Sequence, residues 1–463
     1  MRGGRRTSQP IHRGADETPP RPREKHAASQ PTPIFNMRDP KRVPLLVAAP
    51  RADGASFADA VVSLVKVCVG SGVMALPWAV AQGRLLSLPG LAGLVVWNWY
   101  TSWQLIACRD AVDVRVASGL QVAARSGAHR SVYSALTHAA LGRAGVLVLE
   151  GSLVTVILGA CSSMQIQSAQ LLDASVPGVP YTAWVLGGAV LLAPLVLQRT
   201  LQGISRIAQL GLLVLCVGLA TVAAYGVITL GPPRAVALGG LPTPSGFAAF
   251  FGVAAFAFGG MQATILPIQD GMREPRRAAP ALLLAMGLAG GLYAIFGLML
   301  ASIFEAAPGG VQQMIILNLP RNTILGRTVD CCTALVALLS YPLPLLPVVQ
   351  LLQPPGARDG ASDGDDAHRR EARLRLALLL VSTTAALFVP QFGRITGFLG
   401  CLNVAFAQCL PPLLHLRLRT AHLPPSPHQR LLVAVDFLLA LLGLGTLAYF
   451  SALTGRALLG EVD

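Results

Sequence analysis

The apolar stretch VGSGVMALPWAVAQG, from Val69 to Gly83, contains residues that weaken a helix. Gly70, Ser71 and Gly72 stand together near its start, and Pro77 follows five residues later. Within a bilayer, irregular backbone survives only where protein or a water-filled cavity surrounds it. Unpaired N–H groups at such a break attract a carboxylate, and unpaired carbonyl groups attract an ammonium. These residues therefore predict a binding site for a zwitterion, although glycine pairs also serve close helix packing.

A second apolar stretch, FGVAAFAFGGMQATILPIQD, repeats this pattern later in the chain. Gly259 and Gly260 stand together here, and Pro267 follows about two turns later. Freed carbonyl groups near Phe258 and Gly259 suit an ammonium, and Phe258 is either the wall of a side-chain pocket or part of the core. Two breaks at matched positions are typical of secondary transporters with inverted repeats, which bind substrates between interrupted helices near the membrane midplane.

Lys66 is the most informative single residue near the first break. It precedes Gly70 by four residues, which places it one helical turn away. An ionisable side chain at membrane depth is costly and marks function by default. Lys66 either takes the place of a coupling cation or loses its proton during a cycle. Alternatively, it extends to the cytoplasmic interface and has a structural role.

The segment CSSMQIQSAQ is unusually polar for a helix that faces lipid. Gly159, Ser163, Gln167 and Gln170 fall at helical spacing on one face. This face lines a vestibule or forms hydrogen bonds with a neighbouring helix. We take Ser163 as a candidate substrate-binding residue.

Apolar helices must position these residues. The 463 residues are 53% hydrophobic and 13% charged, whereas soluble domains are about 25% charged. A soluble globule is therefore excluded, and eleven apolar runs are long enough to cross about 30 Å of hydrocarbon. The predicted spans are Val61–Ala81, Leu88–Cys108, Val146–Leu172, Tyr181–Leu197, Ile207–Leu230, Phe247–Ile268, Ala281–Phe304, Val329–Leu352, Leu374–Phe392, Ile395–Leu416 and Leu431–Phe450.

The basic residues that give the net charge of +14 are concentrated on one side of the predicted spans, and they do not indicate nucleic-acid binding. Of the 36 lysine and arginine residues, 29 fall in the N-terminal tail and in the loops on the same side of the predicted spans. The positive-inside rule places this side in the cytoplasm. We therefore expect a cytoplasmic N-terminus and, with an odd number of spans, a C-terminus on the opposite side.

The chain divides into three predicted regions. Residues 1–55 predict a disordered, basic cytoplasmic tail, 56–455 a transmembrane domain and 456–463 a short C-terminal tail. The sequence contains neither a Walker loop nor a metal-binding His-x-x-x-His helix, and no Gly-x-Ser-x-Gly elbow with catalytic partners in reach. We therefore expect neither an enzyme nor an ATP-driven pump. The histidines are assigned to the tail and the loops, which argues against a metal site within the membrane.

The motifs together resemble the amino acid/auxin permease family, within the APC superfamily of secondary transporters. The first span of that family carries a motif matched here by Lys66, Gly70, Ser71, Gly72, Leu76 and Pro77. The sixth span carries a motif matched by Phe256, Phe258, Gly260, Leu266, Pro267 and Met272. The resemblance extends over essentially the whole chain from Ser56 onward.

The resemblance implies an all-α polytopic membrane protein with a 5+5 inverted repeat, similar to sodium symporters, and one extra helix. It also implies alternating access with spans one and six as the moving gate. Ser340, in the region where the family binds its coupling ion, is a candidate oxygen ligand. Cys68 stands where many relatives carry Asn. Because a cysteine offers no oxygen to a hard cation, coupling to protons is favoured over coupling to sodium.

The predicted function is secondary active transport of amino acids. Neutral amino acids fit best, because neither broken region carries an arginine or a carboxylate dedicated to a charged side chain. The alternative is a transporter-like amino acid sensor that signals through its N-terminal tail. The predicted partners are an amino acid and the lipid bilayer, with no cofactor and no nucleic acid. The sequence leaves the plasma membrane and the vacuolar or lysosomal membrane equally open.

Overall fold

The fold is described from a computed structural model of the chain. It defines residues 54–70, 72–111, 131–198, 201–233, 239–353, 364–418 and 427–459, with the backbone alone at 201–210, 212, 364–368 and 428. Ser71, residues 1–53 of the predicted N-terminal tail and residues 460–463 of the C-terminal tail lie outside the described residues. The described helices all belong to one compact unit, Leu45–Asp463.

Within these ranges the secondary structure is helical and contains no β-strand, which confirms the predicted all-α class. The α-helices are α1 (Phe57–Cys68), α2 (Gly72–Gly83), α3 (Ser87–Ala111), α4 (Val132–Ser175), α5 (Tyr181–Leu197), α6 (Leu201–Leu230), α7 (Pro244–Ala257), α8 (Met261–Gly271), α9 (Ala278–Phe304), α10 (Ile324–Ser340), α11 (Pro342–Leu352), α12 (Gly364–Phe388), α13 (Phe392–Val404), α14 (Leu410–Leu418) and α15 (Pro427–Leu458). A π-helical turn, Ala405–Cys409, connects α13 to α14.

Eight helical stretches among the described residues are long and apolar enough to cross a membrane, and α5 is a shorter apolar helix of 17 residues. The first of the eight, Gly72–Ala111, runs through both α2 and α3. Only the 3₁₀ turn Arg84–Leu86 separates those two helices. The chain is therefore a multi-pass membrane protein, whereas the count of eleven spans and the two repeated halves stay predictions.

The first and sixth predicted spans are interrupted at the glycine pairs. The first span is divided between α1, which ends at Cys68, and α2, which begins at Gly72. The sixth is divided between α7 and α8. Pro77 lies inside α2 and does not end it. In a membrane helix, neighbouring helices and local adjustments compensate for the hydrogen bond that a proline removes, so the glycines set the position of the break.

Close backbone packing anchors α7 to α13. A Cβ atom added to Gly400 would lie 1.7 Å from the Gly252 carbonyl oxygen, and one added to Gly252 would lie 2.0 Å from the Gly397 carbonyl oxygen. Small residues at membrane helix crossings permit this approach. One half of the sixth span is therefore fixed against the tenth.

Candidate functional site

The first break exposes backbone between α1 and α2. Val69 follows α1 in an extended conformation, with φ −78° and ψ 90°. The Val73 N–H donates a hydrogen bond to the Gly70 carbonyl oxygen at 3.2 Å, where α2 begins. A Cβ atom added to Gly70 would have no atom within 4 Å, whereas one added to Gly72 would lie 3.2 Å from the Phe256 ring. Gly70 thus faces open space, and Gly72 packs against α7.

A cavity of about 170 Å³ lies against this break. Its walls come from α1, α2, α4, α6 and α10, together with Val69 and Gly70 at the break itself. An apolar cavity of similar volume is large enough to bind a small organic molecule. The apolar side chains of its lining are Met74, Met164, Val214, Leu215, Val336 and Ala337, in addition to Val69.

Two buried polar atoms on this lining lack partners within the described part of the chain. They are the Gln167 Oε1 atom on α4 and the Thr333 Oγ1 atom on α10. Both residues are only 3% exposed, and the Gln167 Nε2 group lies 3.8 Å from the Met74 Sδ atom. A buried polar group without a hydrogen bond costs about 1–3 kcal/mol. Such atoms around a cavity are typical of a site whose ligand completes the hydrogen bonds.

Lys66 and Ser340 meet on the same cavity. Lys66 is the one charged side chain of the described lining, and its ammonium group forms no ion pair with the residues that the structure defines. It lies in the last turn of α1, where the helix dipole favours a positive charge. Ser340 ends α10, near Gly211 of α6. The structure therefore brings together three of the candidate substrate-binding and coupling residues, namely Lys66, Gly70 and Ser340, and adds Gln167 from the polar face of α4.

The second break is filled by its neighbours. A Cβ atom added to Gly259 would lie 3.2 Å from the Asn403 side chain, and one added to Gly260 would lie 2.6 Å from the Val67 Cγ1 atom. Phe258 is fully buried, with its ring 5.0 Å from the Tyr293 ring between centroids. None of Phe258, Gly259 and Gly260 is part of the cavity lining at the first break.

Tyr293 of α9 connects the two breaks. Its hydroxyl group lies within hydrogen-bond distance of the Cys68 carbonyl oxygen at the end of α1 and 3.0 Å from the Ala257 carbonyl oxygen at the end of α7. The hydroxyl has one proton and donates it to one carbonyl at a time. Two of the carbonyl groups freed by the breaks therefore share one donor from within the protein.

Ser163 has a local partner. Its hydroxyl donates to the Ala160 carbonyl oxygen at 2.8 Å, and the residue is not part of the cavity lining. Gln167, one turn further along α4, reaches the cavity instead. The polar face of this helix is divided between the cavity and hydrogen bonds to its neighbours, because Gln170 donates to the Pro390 carbonyl oxygen at 2.6 Å.

Two residues at the breaks and the cavity, Thr333 and Tyr293, were not predicted from the sequence. Thr333 directly follows a pair of cysteines and carries no motif, and its one signal is its position seven residues before Ser340 on the same helix. Tyr293 lies in a uniformly apolar run, where a single tyrosine hydroxyl was the available signal, since a buried tyrosine hydroxyl needs a partner.

The assignment of all histidines to the tail and loops was wrong for His415. It is fully buried in α14, and its Nδ1 atom lies 2.6 Å from the Asp436 Oδ2 atom on α15. Asp436 also accepts hydrogen bonds from Gln104 at 2.7 Å and Tyr100 at 3.3 Å. The pair is buried because helix packing supplies the partners that a charged group needs. Among the described residues no group of three His, Cys, Asp or Glu side chains could hold a metal ion.

The ends of α1 and α8 are joined on the side of the N-terminus. The Ala55 N–H donates to the Gly271 carbonyl oxygen at 2.8 Å, and the Arg273 N–H donates to the Ala55 carbonyl oxygen at 2.9 Å. Asp270, at the end of α8, forms an ion pair with Arg109 of α3. The α8 half of the sixth span is therefore tied both to the start of α1 and to α3.

The match to a family model agrees with the two broken helices and with the cavity at the first break. The model described as "Transmembrane amino acid transporter protein" matches residues 53–454. The chain therefore belongs to this family, as its motifs predicted. It is an integral membrane protein of amino acid transporter descent.

Individual relatives are distant. Vacuolar amino acid transporter 3 of Saccharomyces cerevisiae is 24% identical over 86% of this chain but only 56% of its own length, so the chain spans about half of that relative. Amino acid transporter AVT1H of Arabidopsis thaliana is 25% identical over 82% of this chain and 85% of its own length. Vesicular inhibitory amino acid transporter of Xenopus tropicalis is 24% identical over 75% of this chain and 68% of its own length.

Solved structures are similar at a lower level. The crystal structure of MhsT in complex with L-phenylalanine aligns with 84% of this chain and all of its own, at a TM-score of 0.45 and 13% identity. A Na⁺-coupled sialic acid symporter aligns with 86% of this chain and 96% of its own, at a TM-score of 0.44 and 12% identity.

Proposed function

We propose that this protein is a secondary active transporter of neutral amino acids, driven by protons and working by alternating access around its first and sixth spans. The cavity at Gly70 supports this most strongly. It combines an interrupted helix, two unpartnered polar atoms and an apolar wall within one small volume. An amino acid needs this combination, because its charged ends must be paired while its side chain is buried.

The proposed binding mode follows from the groups around the cavity. The N-terminus of α2, at Gly72, offers backbone N–H groups and a positive helix end to the carboxylate. The Gln167 and Thr333 oxygen atoms, with the backbone carbonyls at Val69 and Gly70, accept hydrogen bonds from the ammonium. Phe258, Ser163, Gly259 and Gly260 are not part of the cavity lining, so they keep their proposed substrate roles only in other conformations of the cycle. Ser71 lies outside the described residues and keeps its proposed role at the first break.

Neutral substrates are favoured by the charges of the lining. Its described part contains neither arginine nor a carboxylate, and Lys66 is its one charged side chain. A cationic amino acid side chain would enter beside Lys66 without a counter-charge, at a large desolvation cost. The methionines Met74 and Met164 adapt their shape readily, so we propose a pocket that accepts several small apolar side chains.

Lys66 and Ser340 belong to the proposed coupling step. The Lys66 ammonium takes the place of a coupling cation beside the break, and Ser340 supplies an oxygen on the facing helix. Cys68 stands at the end of α1, and its thiol is a poor ligand for sodium. Proton coupling is therefore proposed over sodium coupling.

We further propose that the N-terminus faces the cytoplasm. The distribution of basic residues supports this orientation. The names of the relatives refer to vacuolar and vesicular transport, and on that basis we propose an intracellular compartment as the residence of this chain. Microscopy of the chain tagged at its N-terminus, with and without selective permeabilisation of the plasma membrane, tests both points.

Reconstitution into proteoliposomes tests the function. Uptake of radiolabelled alanine, leucine and lysine is measured with an imposed pH gradient, with an imposed sodium gradient and with neither. We expect accumulation of alanine and leucine with the pH gradient alone, and little accumulation of lysine. Uptake that is indifferent to both gradients would contradict secondary active transport, and dependence on sodium would contradict the choice of coupling ion.

A further inference from the structure

Asp330 is a buried carboxylate with one open oxygen. It lies in the second turn of α10 and is 1% exposed. Its Oδ2 atom accepts a hydrogen bond from the Ser175 hydroxyl, at the end of α4, at 2.8 Å. Its Oδ1 atom is buried and has no hydrogen-bond partner within the described part of the chain. A carboxylate buried with one neutral donor is poorly compensated as an anion, and protonation removes that cost.

Asp330 shares a helix face with the cavity. Thr333, Ala337 and Ser340 line the cavity, and they follow Asp330 by three, seven and ten residues. Residues at these spacings lie on one side of a helix. Asp330 is therefore one helical turn from Thr333 on the cavity wall, and the Thr333 Oγ1 atom also lacks a partner within the described part of the chain. Protonation of Asp330 acts within reach of the proposed substrate site.

The surroundings of Asp330 contain few charges. The Arg321 guanidinium, in the segment before α10, is close enough for its positive charge to act on the carboxylate, and Cys331 is the titratable neighbour on the same helix. From α4 the Ser175 hydroxyl faces it, whereas Asp173 on that helix is exposed and lies near the Tyr181 hydroxyl of α5.

The helix α6 approaches the same region with a small residue. A Cβ atom added to Gly218 would lie 3.4 Å from Val329, 3.6 Å from Ile316 and 3.8 Å from Thr333. No direct ion pair neutralises Asp330 among the described residues. Its charge state is therefore free to change without the loss of a salt bridge.

Among the described residues, the second buried carboxylate, Asp436, has different surroundings. Asp436 has His415, Gln104 and Tyr100 as partners, and both of its oxygen atoms accept hydrogen bonds. Neither Asp436 nor any of these three partners lines the cavity at Gly70. A satisfied carboxylate of this kind stabilises helix packing, whereas an incompletely paired one beside a cavity is suited to bind and release a proton.

We propose that Asp330 is the binding site of the coupling proton, a step that rests on the proposed transport function. The proton binds the carboxylate from the side of the membrane opposite the N-terminus, where α4 ends and α10 begins. The protonated Asp330 side chain and the bound substrate then pass through the conformational change together. The proton leaves on the other side of the membrane, which regenerates the carboxylate. Substrate and proton are coupled because Asp330 and Thr333 occupy consecutive turns of α10.

Two transport modes in proteoliposomes separate this proposal from the function itself. Accumulation against a gradient requires proton movement, whereas counterflow exchange of labelled for unlabelled substrate requires only binding and translocation. We expect Asp330→Asn to lose accumulation at least tenfold and to retain counterflow, because the amide does not bind a proton. Asp173→Asn, on an exposed carboxylate at the end of α4, serves as the matched control and keeps both modes. Retained accumulation in Asp330→Asn overturns the proposal, and absence of counterflow in the wild-type protein overturns the transport function instead.

A second variant covers the case in which Asp330→Asn loses both modes or fails to fold. Ser175→Ala removes the hydroxyl that donates to the ionised carboxylate. Because that hydrogen bond favours the ionised form, its loss makes protonation easier at higher pH. The pH of half-maximal accumulation is expected to move by about one unit to the alkaline side. An unchanged pH profile in folded Ser175→Ala overturns the assignment of the proton to Asp330.

Discussion

The two broken helices share a sequence pattern but have different surroundings. At the first break Gly70 faces a cavity, and an added Cβ atom would meet nothing within 4 Å. At the second break Gly259 and Gly260 are packed against Asn403 and Val67, and Phe258 is fully buried. A glycine pair can leave room for a ligand or for a neighbouring helix. Tertiary contacts decide between these two uses, and the local sequence does not.

Tyr293 connects the open break to the packed break. Its hydroxyl lies between the carbonyl groups at the ends of α1 and α7, so it senses both breaks. The packed break anchors one half of the sixth span to α13, whereas the open break leaves α1 and α2 next to empty volume. We expect substitutions at the packed side to affect folding, and substitutions at the open side to affect binding.

Gly400→Ala is expected to have the largest effect. The added methyl group would lie 1.7 Å from the Gly252 carbonyl oxygen, and a backbone atom cannot move aside as a side chain does. Overpacking of this kind destabilises by about 3 kcal/mol or more. Purified yield and the thermal unfolding temperature in detergent measure this loss.

Gly287→Ala provides the control for that substitution. Gly287 lies in α9, and a Cβ atom there would have no atom within 4 Å. Alanine is favoured over glycine within a helix by up to about 1 kcal/mol, so this variant should keep or raise the unfolding temperature. Equal stability of Gly400→Ala and Gly287→Ala would contradict the anchored position of α7.

Tyr293→Phe is expected to have an intermediate effect. The ring packing on Phe258 is preserved, but the Cys68 and Ala257 carbonyl groups lose their shared donor. Buried carbonyl groups without a donor cost about 1–3 kcal/mol. The unfolding temperature should fall, and the uptake rate should fall with it because the two breaks are no longer connected. Tyr449→Phe, on an exposed tyrosine, should change neither quantity.

The sequence predicted the breaks better than their surroundings. Glycine and proline weaken helices through local chemistry, so the ends of α1 and α7 could be placed in advance. Which glycine faces a cavity depends on residues more than a hundred positions away, such as Asn403 beside Gly259. Thr333 was missed for the same reason, because it is a candidate site residue only through its unpartnered oxygen on the cavity wall. His415 was misplaced because its partner Asp436 lies on another helix.

Thr333→Val is expected to have the smallest effect on folding and a clear effect on binding. The Thr333 Oγ1 atom has no partner within the described part of the chain, so an isosteric methyl group should leave stability unchanged or raise it. If this oxygen accepts the substrate ammonium, the affinity should fall about tenfold, equivalent to about 1.4 kcal/mol. Thr137→Val removes a buried hydroxyl that bonds within α4 and should leave the affinity unchanged. Equal affinities of Thr333→Val and wild type would remove Thr333 from the site.

Amino acid binding by a series of Gly70 variants shows whether the substrate lies at the open break. Gly70 does not adopt a positive φ angle and faces open space, so Ala, Val and Leu can be accommodated without loss of the fold. The dissociation constant for a neutral amino acid is measured by calorimetry, together with the unfolding temperature. We predict near-constant unfolding temperatures and an affinity that falls stepwise with side-chain volume, by at least tenfold at Leu. Wild-type affinity in a folded Gly70→Leu variant would contradict the account, because the substrate would then bind elsewhere than at the open break.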